Sequence, residues 1–393
     1  FKECPKFLLV GDPIHLPILF RGLFYSKNKS IFSIGYLIQK YIELTRIPIM
    51  KKAMSELLNQ GTITGAFAFH HTKDFNNICS NHKCIYINTP MSDPYKSTEK
   101  KKFTKNKFKV MHIGHLSGIA TLYGVNDLVR HIVPILDLKI GKDNYELHIV
   151  GGNFENLESN LKNLILQHPN IIVRGKVSPA DKDFKNSDVL IVPTSIKLGI
   201  RVRIITALSY GLPVVAHIAN KSGIPELENE ENCLISDNTR GLANAIIKLY
   251  NDDLLLNKIS RNSRKTFENN FSINSVGKFI ENKINSYAQD IIDKGDKYDQ
   301  LSLGEIGFYI SLRSVLKGNA TKQDIGLMDA VNDTLQALDI IKSNDDGLLI
   351  HYEKGSLIAA LGSDIVIGVA SSSPASISAV HGLQAILYDP NKM

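Results

Sequence analysis

Arg201 and Arg203 stand just behind Gly199 in the stretch Pro193-Thr194-Ser195-Ile196-Lys197-Leu198-Gly199-Ile200-Arg201. A guanidinium offers a planar fork of N–H donors that matches phosphate oxygens, so such a pair beside a glycine-bearing loop is suited to anchoring a phosphate or diphosphate. Residues 202–210 have a helical pattern, and the first N–H groups of a helix lack partners within it. Those donors and the helix dipole favour an anion at the same place. Two cations there are otherwise unfavourable, so a bound anion is the simplest compensation, and solvent or an acidic partner is the alternative.

Other residues could do chemistry with less support from spacing. The turn His112-Ile113-Gly114-His115-Leu116-Ser117-Gly118 offers His115, Ser117 and, further on, Thr121 as polar groups near a glycine, against a plain capping role for Ser117. Candidate general bases are His70, which with His71 follows an apolar segment, and His217, at the end of the apolar run 214–216. Asp12, in Gly11-Asp12-Pro13, could orient a hydroxyl or simply make the turn. Cys79, His82 and Cys84 lack a second pair of ligands, so no metal site is expected. Near the end of the chain, Ser371-Ser372-Ser373-Pro374 opens a helical stretch and reads either as helix capping or as a second phosphate-cradling loop.

The elements that must position these residues follow an α/β pattern. In the first part, strands are expected at 6–10, near 65–69 and at 84–88, with helical segments up to about residue 59. From residue 108 onward, strands at 109–113, 146–150, 171–174, 189–192 and 214–216 alternate with helices at 126–136, 157–167, 179–186, 202–210 and 239–250. Alternation of this kind implies right-handed crossovers and a doubly wound parallel sheet, with ligands at the carboxyl ends of the strands. Two helices separated by Asn270–Ser272 close that region. A polar, Lys-rich linker at 99–107 and a charged one at 294–300 divide the chain into domains 1–98, 108–293 and 301–393. The last repeats a strand–hydroxyl loop–helix–Gly–strand unit, at 364–388, already seen at 187–215.

At 393 residues the chain is long enough for two or three domains. Hydrophobic residues make up 43% and charged residues 22%, which excludes a disordered or collagen-like chain. The formal charge of +7 suits an anionic ligand or membrane surface. Without Trp and without an aromatic-interleaved basic stripe, no nucleic-acid partner is expected. Four cysteines cannot form a disulfide framework. No apolar run is long enough to span a bilayer, so the expected location is the cytoplasm, at most against the inner face of a membrane. The opening at Phe1 and the end directly after a strand-like run read as an internal fragment, with the first and last domains incomplete.

The run Pro193, Ser195, Gly199 and Ala207 through Val215, followed by Gly223-Ile224-Pro225-Glu226-Leu227, resembles the nucleotide-sugar-binding domain of GT-B glycosyltransferases, especially family 4. Gly151-Gly152 and Arg174-Gly175-Lys176-Val177 add to the resemblance, which covers about residues 108–290. It implies two Rossmann-like domains and transfer of a sugar from a UDP- or GDP-sugar to a glycan or lipid-linked acceptor, as in surface polysaccharide synthesis. Such an enzyme would be a hexosyltransferase, retaining and metal-independent, with the nucleotide sugar as substrate and no cofactor. Donor contacts then fall to Gly114, His115, Ser195, Gly199, Arg201 and Arg203, with a ribose contact for Thr206. The turn at Gly114 would face the donor phosphates across the cleft between domains. One departure is plain: Leu198 and Thr206 occupy the positions of two glutamates that usually contact sugar and ribose. This departure favours one alternative, a non-catalytic nucleotide-sugar-binding scaffold, and the histidines keep open another, a GT-B-like nucleotide-sugar epimerase.

Overall fold

The computed structural model describes residues 7–20, 34–59, 63–79, 84–94, 103, 107–294, 306, 309–310, 366–369 and 385–388. The chain divides into two units, one of Phe1–His15, Thr45–Pro90 and Ile273–Met393, the other of Leu16–Leu44 and Met91–Ser272. Apart from Lys294, which ends a helix, the expected linker at 294–300 lies outside the described residues, as do most of that at 99–107 and Ser371, Ser372 and Ser373.

In the first unit, β1 (Phe7–Val10), β2 (Ile63–Ala66) and β3 (Cys84–Tyr86) form a parallel sheet in that order. Parallel neighbours need crossovers, and helices α1 (Ile34–Leu58) and α2 (Phe69–Ile78) precede and follow β2. Met54, Leu58, Ala66, Phe75, Cys79 and Cys84 make a small core. The strand expected near 65–69 ends at Ala66, and Phe69 already belongs to α2. That helix buries only His71 and Phe75, a pair too sparse to register as an apolar stripe. The strands Val366–Val369 and Ala385–Tyr388 pair in parallel with each other.

The second unit carries six parallel strands: β4 (Phe108–Ile113), β5 (Tyr145–Val150), β6 (Ile171–Gly175), β7 (Val189–Val192), β8 (Val214–His217) and β9 (Leu234–Ser236). Their order is β6-β5-β4-β7-β8-β9. Successive side chains on a strand point to opposite faces: Val189 and Ile191 of β7 enter one core and Leu190 and Val192 the other. Both faces are therefore covered, and β7 reads as an unbroken apolar run.

Between β4 and β5 run α3 (Ile119–Asp127), a π turn (Leu128–Ile132) and α4 (Val133–Lys139). Pro134, in the first turn of α4, has no N–H to give and would crowd the Arg130 carbonyl, so the helix widens there instead of breaking. The remaining helices are α5 (Ser159–Gln167), α6 (Asp181–Asn186), α7 (Val202–Ser209), α8 (Thr239–Asn251) and α9 (Asp253–Asn270). A last helix, α10 (Ile273–Lys294), belongs to the first unit.

The C-terminal end of α7 is fastened by α9. Ser260 Oγ donates to Gly211 O at 2.6 Å, and Arg264 Nη1 donates to Ser209 O at 2.5 Å. Arg264 is itself held by the carboxylates of Asp93 and Glu268. Gly211 has φ +61°, a conformation that favours glycine, and lets the chain turn from α7 into β8. With its C-terminal end fixed in this way, the N-terminal end of α7 has a defined aim.

Candidate functional site

The strand order reverses between β4 and β7, where one crossover runs to each side of the sheet. In a doubly wound sheet the carboxyl ends of two such strands open a crevice. Ile113 and Gly114 end β4, and Pro193 and Thr194 follow β7. The loop behind Thr194 turns at Gly199, with φ +63°, and delivers Arg201 to the N-cap position of α7.

Arg203, in the first turn of α7, reaches back into this crevice. Its Nη1 donates to Ile113 O at 2.8 Å and to Thr121 Oγ1 at 3.3 Å, and its Nη2 to Thr194 Oγ1 at 3.4 Å. The Thr194 hydroxyl in turn donates to Ala120 O at 3.0 Å, so a single hydroxyl links β7, α3 and the guanidinium. Arg203 Nε is buried and makes no hydrogen bond among the described residues. Glycine is required beside it: a Cβ on Gly114 would stand 2.1 Å from Arg203 Nη1. A Cβ on Gly151 would likewise stand 1.9 Å from Gly114 O.

Burial, and secondarily the neighbouring Arg201, push the Arg203 guanidinium down to about 9, so it still carries its charge at neutral pH. Behind it on β4 lies His112, fully buried. Its Nδ1 lies 3.1 Å from Ile191 O, to which it donates. Burial, followed by repulsion from Arg203, pushes His112 down to about 3, so the imidazole is neutral. Sequence reading missed this residue because it resembles any other position of an apolar strand. It also missed Asn220, whose Nδ2 donates to Thr194 O at 3.2 Å and His217 O at 2.8 Å and ties the ends of β7 and β8.

The other expected contacts are distributed as follows. Arg201 Nη2 donates to Ile196 O at 3.4 Å, which curls the loop round Gly199. Ser195 is half-buried in that loop. Leu198, at a position where the resembling family has a glutamate, is buried. The Thr206 hydroxyl donates within its own helix to Val202 O at 3.1 Å. His115 is exposed, with Nδ1 at 2.8 Å from Ser117 Oγ. His217 uses both ring nitrogens locally: Nδ1 accepts from Ala219 N at 3.1 Å and Nε2 donates to Asp237 O at 2.9 Å.

The first unit gathers a second set. Asp12 follows β1 and His70 and His71 open the helix after β2, so all three come to the carboxyl end of their sheet. His71 Nδ1, on a side chain 1% exposed, lies 3.6 Å from Asp12 Oδ1, and the two histidine rings are 4.1 Å apart. Sequence reading treats Asp12 and His70 as separate candidates; the structure brings them together through His71. Cys79 and Cys84 are buried thiols, pushed up to about 11 and about 12 by desolvation. Among the described residues no group of three His, Cys, Asp or Glu could hold a metal ion, and no helix is long and apolar enough to cross a membrane.

Residues 107–252 match the family model described as glycosyl transferases group 1. The capsular polysaccharide biosynthesis glycosyltransferase CapM of Staphylococcus aureus is 27% identical over 183 residues, 45% of this chain and 47% of its own. The chain thus spans about half the length of that curated relative. Among solved structures, Anabaena HepE in complex with UDP and glucose aligns with a TM-score of 0.54 at 15% identity, over 72% of each chain. A mutant of S. aureus TarM, in complex with fondaparinux, alpha-GlcNAc-glycerol and UDP, aligns at 0.50 and 15% identity, over 69% of this chain and 49% of that one. At such identities these structures bear on the fold. The six-stranded unit thus has the GT-B type of fold, and within it residues 107–252 are similar to the glycosyl transferases group 1.

Proposed function

We propose that the chain acts as a glycosyltransferase, moving a sugar from a UDP- or GDP-sugar to a glycan or lipid-linked acceptor in surface polysaccharide synthesis. The observation that carries this reading is the Arg203 guanidinium, set between the ends of β4 and β7 with a buried Nε that makes no hydrogen bond to described residues. A diphosphate there would accept from that Nε and offset the cost of desolvating a cation. UDP in the HepE and TarM complexes favours a uridine donor.

Chemically, the site is suited to leaving-group stabilisation. Charge grows on the diphosphate as the glycosidic bond to the sugar breaks, and Arg203, Arg201 and the first N–H groups of α7 would meet it. A preorganised donor in an oxyanion hole is worth about 2.7–4 kcal/mol, and donors aimed at a leaving diphosphate act in the same way. That supply of positive charge supports a reaction without a metal ion, and the family resemblance supports retention of configuration. On the first unit, the Asp12–His71 pair is the proposed base or orienting group for an acceptor hydroxyl.

Leu198, buried, and Thr206, bonded within α7, favour a second reading in which the domain binds the nucleotide but does not turn over. Release of UDP or GDP from a panel of sugar nucleotides, measured with and without glycan acceptors, separates the two. Transfer predicts nucleotide release that falls about a hundredfold or more in Arg203→Ala. Nucleotide binding with no release from any donor would leave the binding module.

A further inference from the structure

The first unit holds a polar cavity of about 360 Å³ that the diphosphate site does not use. Lys51, Lys52 and Ser55 line it from α1, Asp74, Asn77 and Ile78 from α2, and His15 from the segment after β1. Its walls are fixed to each other: Ser55 Oγ donates to Ile78 O at 3.0 Å and accepts from Asn59 Nδ2 at 3.2 Å. His15, an imidazole only 4% exposed, forms part of this lining, and its Nδ1 is buried and makes no hydrogen bond among the described residues. Buried polar atoms are nearly always paired, so this one, on a residue in the wall of a polar cavity, calls for a partner that the described residues do not supply.

The lining specifies that ligand. Two ammonium groups and one carboxylate line it, and although Lys52 also lies 3.9 Å from Glu56 Oε1, outside the lining, the lining itself carries an excess positive charge that suits a single anionic group. The amide of Asn77 and the carboxylate of Asp74 between them donate to and accept from hydroxyls. Burial, and then Lys51, lower the pKa of His15 while Asp74 opposes them, and a neutral imidazole offers one donor and one acceptor. Ile78 is the one apolar side chain in the lining, so an apolar ligand has little to gain. The volume lies near the lower end of the range for small-molecule sites, roughly 300–1,000 Å³, enough for one sugar ring.

We propose that this cavity binds a single sugar unit bearing a carboxylate or a phosphate, with Lys51 and Lys52 on the charged group and His15, Asp74 and Asn77 on the hydroxyls. The proposal does not depend on the diphosphate site, which belongs to the other unit.

The test is calorimetric and saturation-transfer NMR titration of the full chain with glucuronate and with glucose 6-phosphate, using glucose and inorganic phosphate as controls. At least one acidic sugar is expected to bind tenfold or more tightly than either control, and the preferred one identifies the anionic group. The double variant Lys51→Ala/Lys52→Ala should weaken it at least tenfold, and His15→Gln at least fivefold. Both lysines are exposed, so the double variant keeps the test decisive if the His15 variant fails to fold. UDP titration of the same variants should match the wild type; if the wild type binds no UDP, the sugar titrations still read this cavity alone. Equal affinity for acidic sugars and controls, or binding unchanged in the double lysine variant, would overturn the proposal.

Discussion

Arg203 Nη1 donates to the main-chain oxygen of Ile113 at 2.8 Å, a contact between residues 90 positions apart. It places a cation from the helix after β7 against the end of β4, at the point where the strand order reverses. The arginine is thus both a structural tie and the group that an anion entering the crevice would meet.

Gly114→Ala tests how tightly that tie is made. The added methyl would sit 2.1 Å from Arg203 Nη1, so the guanidinium must move. The expected result is a loss of stability of about 1–3 kcal/mol, as for other overpacked sites, with weaker nucleotide binding; thermal melting and titration measure the two. A variant as stable and as tight as the wild type would show that the guanidinium position is not constrained.

Thr194→Val keeps the volume and removes the hydroxyl that accepts from Arg203 and donates to Ala120 O. Leaving buried polar groups without partners costs about 1–3 kcal/mol. Chemical denaturation should show this loss, and nucleotide affinity should fall with it because the guanidinium loses one of its fixings.

Much of this was legible in the residues themselves. The alternation of apolar runs and helical stretches after residue 108 specifies the doubly wound sheet, and the glycine-to-arginine spacing in the β7–α7 loop singles out the place proposed for the anion. The short strand β9 and the helix α2 were not legible, because three residues or two buried positions give no clear period. Nor did sequence separate the two arginines: only the fold turns Arg203 inward to β4 while Arg201 bonds its own loop. The pairing of Asp12 with His71 is equally a product of strand adjacency, since β1 and β2 bring together residues far apart in the chain.

His112 gives the protein an acid-sensitive limb. Its native value is pushed down to about 3 from 6.5. Above pH 6.5 neither state is protonated and its contribution is constant. Between pH 6.5 and about 3 the unfolded chain takes up a proton that the native state refuses, so stability falls by about 1.4 kcal/mol for each unit of acidification. Denaturation at a series of pH values should show that this slope is reduced in His112→Gln; an unchanged slope would mean that His112 is not held neutral.

Asp12→Asn keeps the shape and removes the charge beside His71. If the pair serves the acceptor hydroxyl, the transfer rate should fall by about 10²–10⁴, while the affinity for UDP stays unchanged. A fall in nucleotide affinity with an unaltered rate would assign Asp12 to folding rather than to the reaction.

Whether Arg203 anchors a nucleoside diphosphate is decided by calorimetric titration of UDP and GDP into wild type and Arg203→Ala. A charge-assisted hydrogen bond is worth about 1.5–3 kcal/mol, so the expected result is wild-type binding that weakens roughly ten- to a hundredfold in the variant. A folded wild type that binds neither nucleotide, or a variant that binds as tightly as the wild type, would contradict it.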